Sequence, residues 1–175
     1  VAHGVTVLTL RRSILTEKVA RRGYHLSREY AVDPLEIIFV REVMRTNSVA
    51  VDAEGSPLAL RTLAERVQRG EHAQRQLLFP VVDSAGVLTG VVTRNNLMTL
   101  ARELPEGGAG PVRLSALMTT DPVVAYPNEP LRVIAYRMAE TGLTRFPVVT
   151  PGSGPRTLVG MISLADLLKA RARNL

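Results

Sequence analysis

Apolar residues recur along the chain in two matching series of strand-like and helix-like spacing. In the first, the short run Ser48-Val49-Ala50-Val51 precedes Leu60, Leu63, Ala64 and Val67, at offsets i, i+3, i+4 and i+7. That spacing lays one apolar stripe along a helix. In the second, Pro122-Val123-Val124-Ala125 precedes Leu131, Ile134, Ala135 and Met138 at the same offsets. Ser56-Pro57 and Asn128-Glu129-Pro130 offer N-cap and first-turn residues, and Gly70 and Gly142 offer stops. A buried strand carrying a proline follows each helix: Leu78-Phe79-Pro80-Val81-Val82 and Arg145-Phe146-Pro147-Val148-Val149. Turns come next, at Asp83-Ser84-Ala85-Gly86 and Pro151-Gly152-Ser153-Gly154-Pro155. Each series closes on a last strand and helix, Gly90-Val91-Val92-Thr93-Arg94-Asn95-Asn96-Leu97 and Gly160-Met161-Ile162-Ser163-Leu164-Ala165-Asp166-Leu167. Helical spacing continues in Leu97, Leu100, Ala101 and Leu104.

Each series opens with an apolar residue and a methionine, Val43-Met44-Arg45-Thr46 and Leu117-Met118-Thr119-Thr120. The chain is therefore an internal repeat with a period of about 70 residues. Each copy reads strand, helix, strand, strand, helix. A unit of about 60 residues buries too little surface to be secure alone. The expected fold is a mixed α/β (α+β) pair, two β-α-β-β-α repeats packed sheet to sheet with pseudo-two-fold symmetry around one shared core. The expected boundaries are a connector over 1–39, a first repeat over 40–105, a linker over 106–112 and a second repeat over 113–173. The linker contains Gly107, Gly108 and Gly110.

Composition narrows the chemistry. Aromatics make up 4% and Trp is absent, so the core must be aliphatic. There is no Cys, which excludes disulfides and thiolate metal sites. His3, His25 and His72 lack metal-ligand spacing. No Ser/His/Asp set and no phosphate loop with its Lys is present, and Gly107-Gly108-Ala109-Gly110 lacks a strand–turn–helix setting. Intrinsic catalysis is not expected. The formal charge is +6. Much of the excess lies in Arg11, Arg12, Lys18, Arg21, Arg22 and Arg28, with Glu17 the one acid among them. No RNP-like aromatic motif or zinc finger accompanies it, so a nucleic-acid partner is not expected. No apolar run approaches the ~20 residues that span a bilayer. Val1 to Leu10 is mostly apolar and a basic stretch follows directly. Two readings stay open there: the cytoplasmic end of a membrane helix, or an arbitrary boundary within a soluble protein.

The doubled order of opening Met, Phe-Pro-Val-Val strand and Gly-apolar-apolar-[Ser/Thr]-x-x-[Asp/Asn]-Leu closure resembles the CBS domain, and its duplication resembles the CBS pair, or Bateman module. The resemblance covers Val40 to Arg173. Upstream, Ser13-Ile14-Leu15-Thr16-Glu17-Lys18-Val19-Ala20-Arg21-Arg22-Gly23-Tyr24, Ser27-Arg28-Glu29-Tyr30 and Val32-Asp33-Pro34-Leu35-Glu36 resemble the connector that joins the membrane domain of bacterial chloride channel (ClC) family proteins to a cytoplasmic CBS pair. The resemblance implies a regulatory module at the cytoplasmic face of the cell membrane. Its implied partners are a chloride-transport membrane domain of the same polypeptide and a second copy of itself. A CBS pair serving a nucleotide-metabolising enzyme or a magnesium transporter, or a ligand-free dimerisation scaffold, stays open beside it.

In CBS pairs that bind adenosine nucleotides, the cleft between the sheets draws on both copies. Carried over, the family pattern implies a cleft of Thr46, Gln76, Leu77, Leu78, Ser163 and Asp166, with ATP, ADP or AMP as ligand and no required cofactor. A carboxylate suits the ribose because it accepts two hydrogen bonds from a cis-diol. A small hydroxyl at a helix start suits phosphate. The related weaker cleft takes Thr93, Asn96, Thr120, Leu143, Thr144 and Arg145. There Asn96 replaces the ribose Asp; in the first cleft, Gln76 stands where some members stack an aromatic ring on the base. Arg94 and Arg145 are either phosphate contacts or solvated charges. Ser163 and Thr93 are equally what a helix N-cap needs, with Asp166 at the third helical position of a capping box.

Overall fold

The computed structural model describes residues 33–70, 76–103 and 114–173. From Pro34 onward these belong to one compact unit. Arg21, Arg22, the rest of the basic segment, Leu104 and the 106–112 linker lie outside the described residues. In chain order the elements are α1 (Pro34–Ile37), α2 (Val40–Val43), β1 (Val51–Asp52), α3 (Pro57–Gln68), β2 (Leu78–Val82), β3 (Leu88–Thr93) and α4 (Arg94–Glu103). A 3-10 turn (Leu114–Ala116), α5 (Leu131–Thr141), β4 (Arg145–Val149), β5 (Leu158–Ser163) and α6 (Leu164–Arg173) follow. None of the described helices is long and apolar enough to cross a membrane.

The two copies fold alike in detail. β1 runs parallel to β2 with Val51 opposite Val81, and in the second copy the same contact is a single parallel bridge, Ala125 to Val148. β2 and β3 pair antiparallel with an irregularity between Val81 and Val82. β4 and β5 pair antiparallel with the same irregularity between Val148 and Val149. The strand prolines fit because their missing N–H is never needed. Ala125 N–H donates to the Pro147 carbonyl and Val149 N–H donates to Ala125, so that short ladder uses Pro147 only as an acceptor.

The helices follow their apolar stripes. Leu60, Ala64 and Val67 of α3 are buried, as are Leu131, Ile134 and Met138 of α5, while Leu63 and Ala135 are half-buried. The Ser56 hydroxyl accepts from Ala59 N–H at 3.2 Å and Pro57 opens α3, as expected. The start of α5 differs. Its N-cap is Pro130, with no side-chain cap bond. Asn128 instead accepts from Arg41 at 2.8 Å. Glu129 accepts from Tyr126 N–H at 2.8 Å and grips Arg137 on α5 through both carboxylate oxygens. That grip raises the Arg137 pKa above its ordinary value, chiefly through the hydrogen bond. Gly142 ends α5 at φ 69°, a left-handed turn that disfavours any side chain.

Each copy's opening segment crosses to the other copy's sheet. Arg45 and Met161 exchange backbone hydrogen bonds of 2.8 and 2.9 Å, and Thr119 and Val91 exchange bonds of 2.9 and 3.0 Å. The crossing explains two motif residues at once. A Cβ on Gly160 would sit 2.7 Å from the Arg45 carbonyl oxygen and 3.4 Å from the Met44 sulfur. A Cβ on Gly90 would sit 2.7 Å from the Thr119 carbonyl oxygen and 3.2 Å from the Met118 sulfur. The opening Met and the closing Gly are two sides of one contact between copies.

The buried residues form two clusters, which corrects the expectation of a single shared core. One joins Val51, Leu60, Phe79, Val81, Val92 and Leu97 to Leu114, with Leu117 and Met118 packed against it. The other joins Leu131, Ile134, Phe146, Val148, Ile162 and Leu167 to Val40, with Leu35, Ile38, Val43 and Met44 packed against it. Each core is thus completed by the lead of the other copy. The chain achieves its intertwining by exchanging these leads rather than by merging the sheets, because a strand that crosses must carry its apolar neighbours with it. The hairpin ends also meet: Leu88 N–H donates to Arg156 and Leu158 N–H donates to Gly86.

The Gly160→Ala variant is expected to lose about 1–3 kcal/mol, since the atom in the way is backbone and cannot turn aside. For a chain of this size that is a Tm fall of roughly 3–10 °C in thermal unfolding. Gly154→Ala, where nothing lies within 4 Å, is the control and should move little.

Candidate functional site

β5 runs directly into α6, and the junction builds the site. Ser163 is the last strand residue and Asp166 stands on the first turn of the helix. Leu164 N–H donates to Thr144 at 2.9 Å, fixing the junction against β4. Ser163 donates twice to Asp166 Oδ2, from its N–H at 3.1 Å and its hydroxyl at 2.5 Å. Arg45 donates twice to Oδ1, from Nε at 3.0 Å and Nη2 at 2.8 Å. A carboxylate offers about four acceptor sites, so all of them are taken. Asp166 is 7% exposed, a buried charge held by an ion pair, a hydroxyl and a helix N-terminus. The capping reading is therefore real as geometry, and it coincides with the cleft rather than competing with it.

The cleft beside Asp166 has a volume of about 420 Å³. Of the residues predicted for it, Gln76, Leu77, Leu78, Ser163 and Asp166 line its walls. Thr46 does not, while Arg45, Asn47 and Ser48 do. The bridge to Met161 holds Arg45 against the cleft, and the chain bends at Thr46 directly after it. Gln76 has a role that the sequence did not reveal. Its amide accepts from Val49 N–H at 3.0 Å and donates to the carbonyls of Val49 at 2.7 Å and Leu78 at 3.1 Å. It acts as a strand residue would, fastening the run before β1 to the start of β2.

Arg45 and Lys169 were not anticipated. Lys169 follows Asp166 by three residues on α6, a spacing that puts both on one helix face and was there to be used. Arg45 carried no such signal, because its partner lies 121 residues away in the other copy. With Arg145, these give three cationic side chains against one carboxylate in the cleft walls. The field inside favours an anion.

The related cleft is smaller, about 220 Å³, and is lined by Thr93, Asn96, Leu143 and Arg145 from the predicted set. Thr120 and Thr144 stand outside it. Thr119, which bridges to Val91, lines the cleft in place of Thr120, and the Thr144 hydroxyl accepts from Arg145 at 3.0 Å. Thr93 caps α4 by accepting from Asn96 N–H at 3.2 Å. Asn96 is tied to the other copy's lead, as its Nδ2 donates to the Leu117 carbonyl at 3.0 Å. Arg94 is directed elsewhere and donates to the Val67 carbonyl at the end of α3, 3.1 Å away. Arg145 and Leu78 border both clefts. Among the described residues, no group of three or more His, Cys, Asp or Glu could hold a metal ion.

The CBS domain family matches the chain twice, over residues 40–103 and 114–173. The chain belongs to the CBS domain family. It carries the domain as a tandem pair, and CBS pairs are regulatory rather than catalytic units. No curated protein matches it significantly. Its fold is similar to the CBS pair of MJ0100, solved with 5′-methylthioadenosine and S-adenosyl-L-methionine, at 18% identity and a TM-score of 0.56, covering 79% of this chain and 98% of that one. CBSX2 in complex with AMP gives 24% identity and a TM-score of 0.58, covering 78% and 97%. The cytosolic domain of the Mg2+ channel MgtE in complex with ATP gives 23% identity and a TM-score of 0.56, covering 73% of this chain and 46% of that one.

Asn96→Asp should not improve the smaller cleft. It removes the donor to Leu117 and sets a carboxylate against a carbonyl, and is expected to cost about 1–2 kcal/mol in urea unfolding at pH 7. Unchanged stability would show that the Leu117 bond is dispensable.

Proposed function

We propose that this chain is the cytoplasmic regulatory module of a voltage-gated chloride channel or transporter of the ClC type, that it senses an adenosine nucleotide, and that it mediates dimerisation. The nucleotide reading is carried by one observation: the junction of β5 and α6 sets a buried carboxylate, Asp166, and the hydroxyl of Ser163 beside Arg45, Arg145 and Lys169 in a cleft of about 420 Å³. That is an acceptor for a ribose next to donors for phosphate. The similar CBS pairs solved with AMP, ATP and S-adenosyl-L-methionine support it. Gln76, Leu77 and Leu78 would border the base, and Leu77 is exposed enough to meet it. Arg145, with Thr93 and Asn96, would serve the smaller cleft. The module regulates and does not itself catalyse.

The membrane partner rests on the connector resemblance over residues 13–36. The fold similarity to the MgtE cytosolic domain favours a second reading, in which the transport domain carries magnesium. Flux from proteoliposomes containing the full polypeptide separates the two: chloride efflux supports the first and magnesium uptake the second. Dimerisation is supported by exposed apolar side chains on α1, α5 and α6, namely Ile37, Val133, Tyr136 and Leu168. Sedimentation should find a dimer, and monomer alone at high concentration would count against it.

Thermal unfolding with AMP, ADP and ATP tests the cleft directly. At about 100 times its dissociation constant a ligand stabilises by about 2.7 kcal/mol, a Tm rise of roughly 5–10 °C here. The rise should vanish in Asp166→Ala, measured from that variant's own lower baseline. No rise with any of the three would leave a ligand-free scaffold.

A further inference from the structure

We infer that Arg45 sets the ligand class of the Asp166 cleft, selecting adenosine compounds that carry phosphate over neutral nucleosides and cationic sulfonium derivatives. The inference rests on the nucleotide reading above and deepens it.

A ribose diol needs two acceptor sites on Asp166, and all are occupied by Ser163 and Arg45. Ser163 N–H is fixed at the start of α6 and cannot leave. Arg45 is held differently. Its backbone is pinned by the bridge to Met161, but its side chain is 45% exposed and has solvent to turn into. The diol therefore displaces the guanidinium.

The displaced guanidinium stays at the cleft wall, with Arg145 and Lys169 also lining the cleft. It has lost a buried carboxylate and needs another anion. A phosphate supplies one, so a phosphorylated ligand exchanges one ion pair for another. Adenosine or methylthioadenosine breaks the pair and returns nothing. S-adenosylmethionine adds a positive sulfonium to a positive cleft. Arg45 thus acts as a ligand-discriminating residue, holding Asp166 until a phosphate arrives.

Calorimetric titration of the 175-residue chain with ATP, AMP, adenosine and S-adenosylmethionine tests this, with Arg45→Gln and Arg45→Lys alongside. ATP should bind wild type at least about 100-fold tighter than adenosine, since charge-assisted contacts to phosphate are the strong ones. Arg45→Gln should weaken ATP about 10-fold and tighten adenosine several-fold, because Asp166 is released. Arg45→Lys should fall between. A merely structural role moves both ligands the same way, and ligand-free thermal unfolding checks that the variants fold. Equal wild-type affinity for ATP and adenosine, or parallel weakening of both in Arg45→Gln, overturns the inference and leaves the nucleotide reading standing. No binding of any of the four probes to wild type overturns the nucleotide reading and the inference with it.

Discussion

Everything in this fold hangs on the crossing of each copy's opening segment onto the other copy's last strand. Backbone pairs with backbone at Arg45–Met161 and Thr119–Val91, and the approach is so close that only glycine is tolerated beneath it. The exchanged segments bring apolar side chains with them, Val40 and Met44 to one core and Leu114 and Met118 to the other. A half of about 60 residues is marginal by itself. Trading leads gives each half the surface that it lacks, and the two stand or fall together. The same crossing delivers Arg45 to the cleft wall.

The elements were legible because their signals are local. Two helical stripes, two Phe-Pro-Val-Val strands and two glycine-led closures sit within a few residues of one another, and doubling them made each more secure. The exchange of leads was not legible. Leu35, Ile38 and Val40 look like any short apolar run, and nothing in one sequence says which sheet such a run will cover. The position of Thr46 and Thr120 outside the cleft linings was illegible for a similar reason. A threonine after the opening segment suits phosphate chemically, but which residue meets the cleft depends on where the bridge falls, and that is fixed by the partner strand.

The cleft shows how one residue satisfies two demands. Asp166 completes a helix start, as the capping pattern required, and is also a buried acceptor facing a cationic cleft. Chemistry read from the sequence alone could not rank these, because the same spacing serves both. Gln76 makes the complementary point. Its position before Pro80 pointed toward the base, but its amide is spent on Val49 and Leu78, where it replaces a missing length of strand.

The placement of residues 34–45 also gives the molecule a mechanical line of force. α1 packs on α5 and α6, Val40 is buried in the second core, and Val40 and Arg41 N–H donate to the carbonyls of Glu129 and Pro127. A tug or twist applied to the backbone at Pro34 would therefore bypass the first copy, load the distant half of the chain, and reach the wall of the cleft at Arg45 within about a dozen residues. Whatever is attached upstream would feel the state of Asp166 through a short, stiff tether, and strain running the other way would bear on the same ion pair.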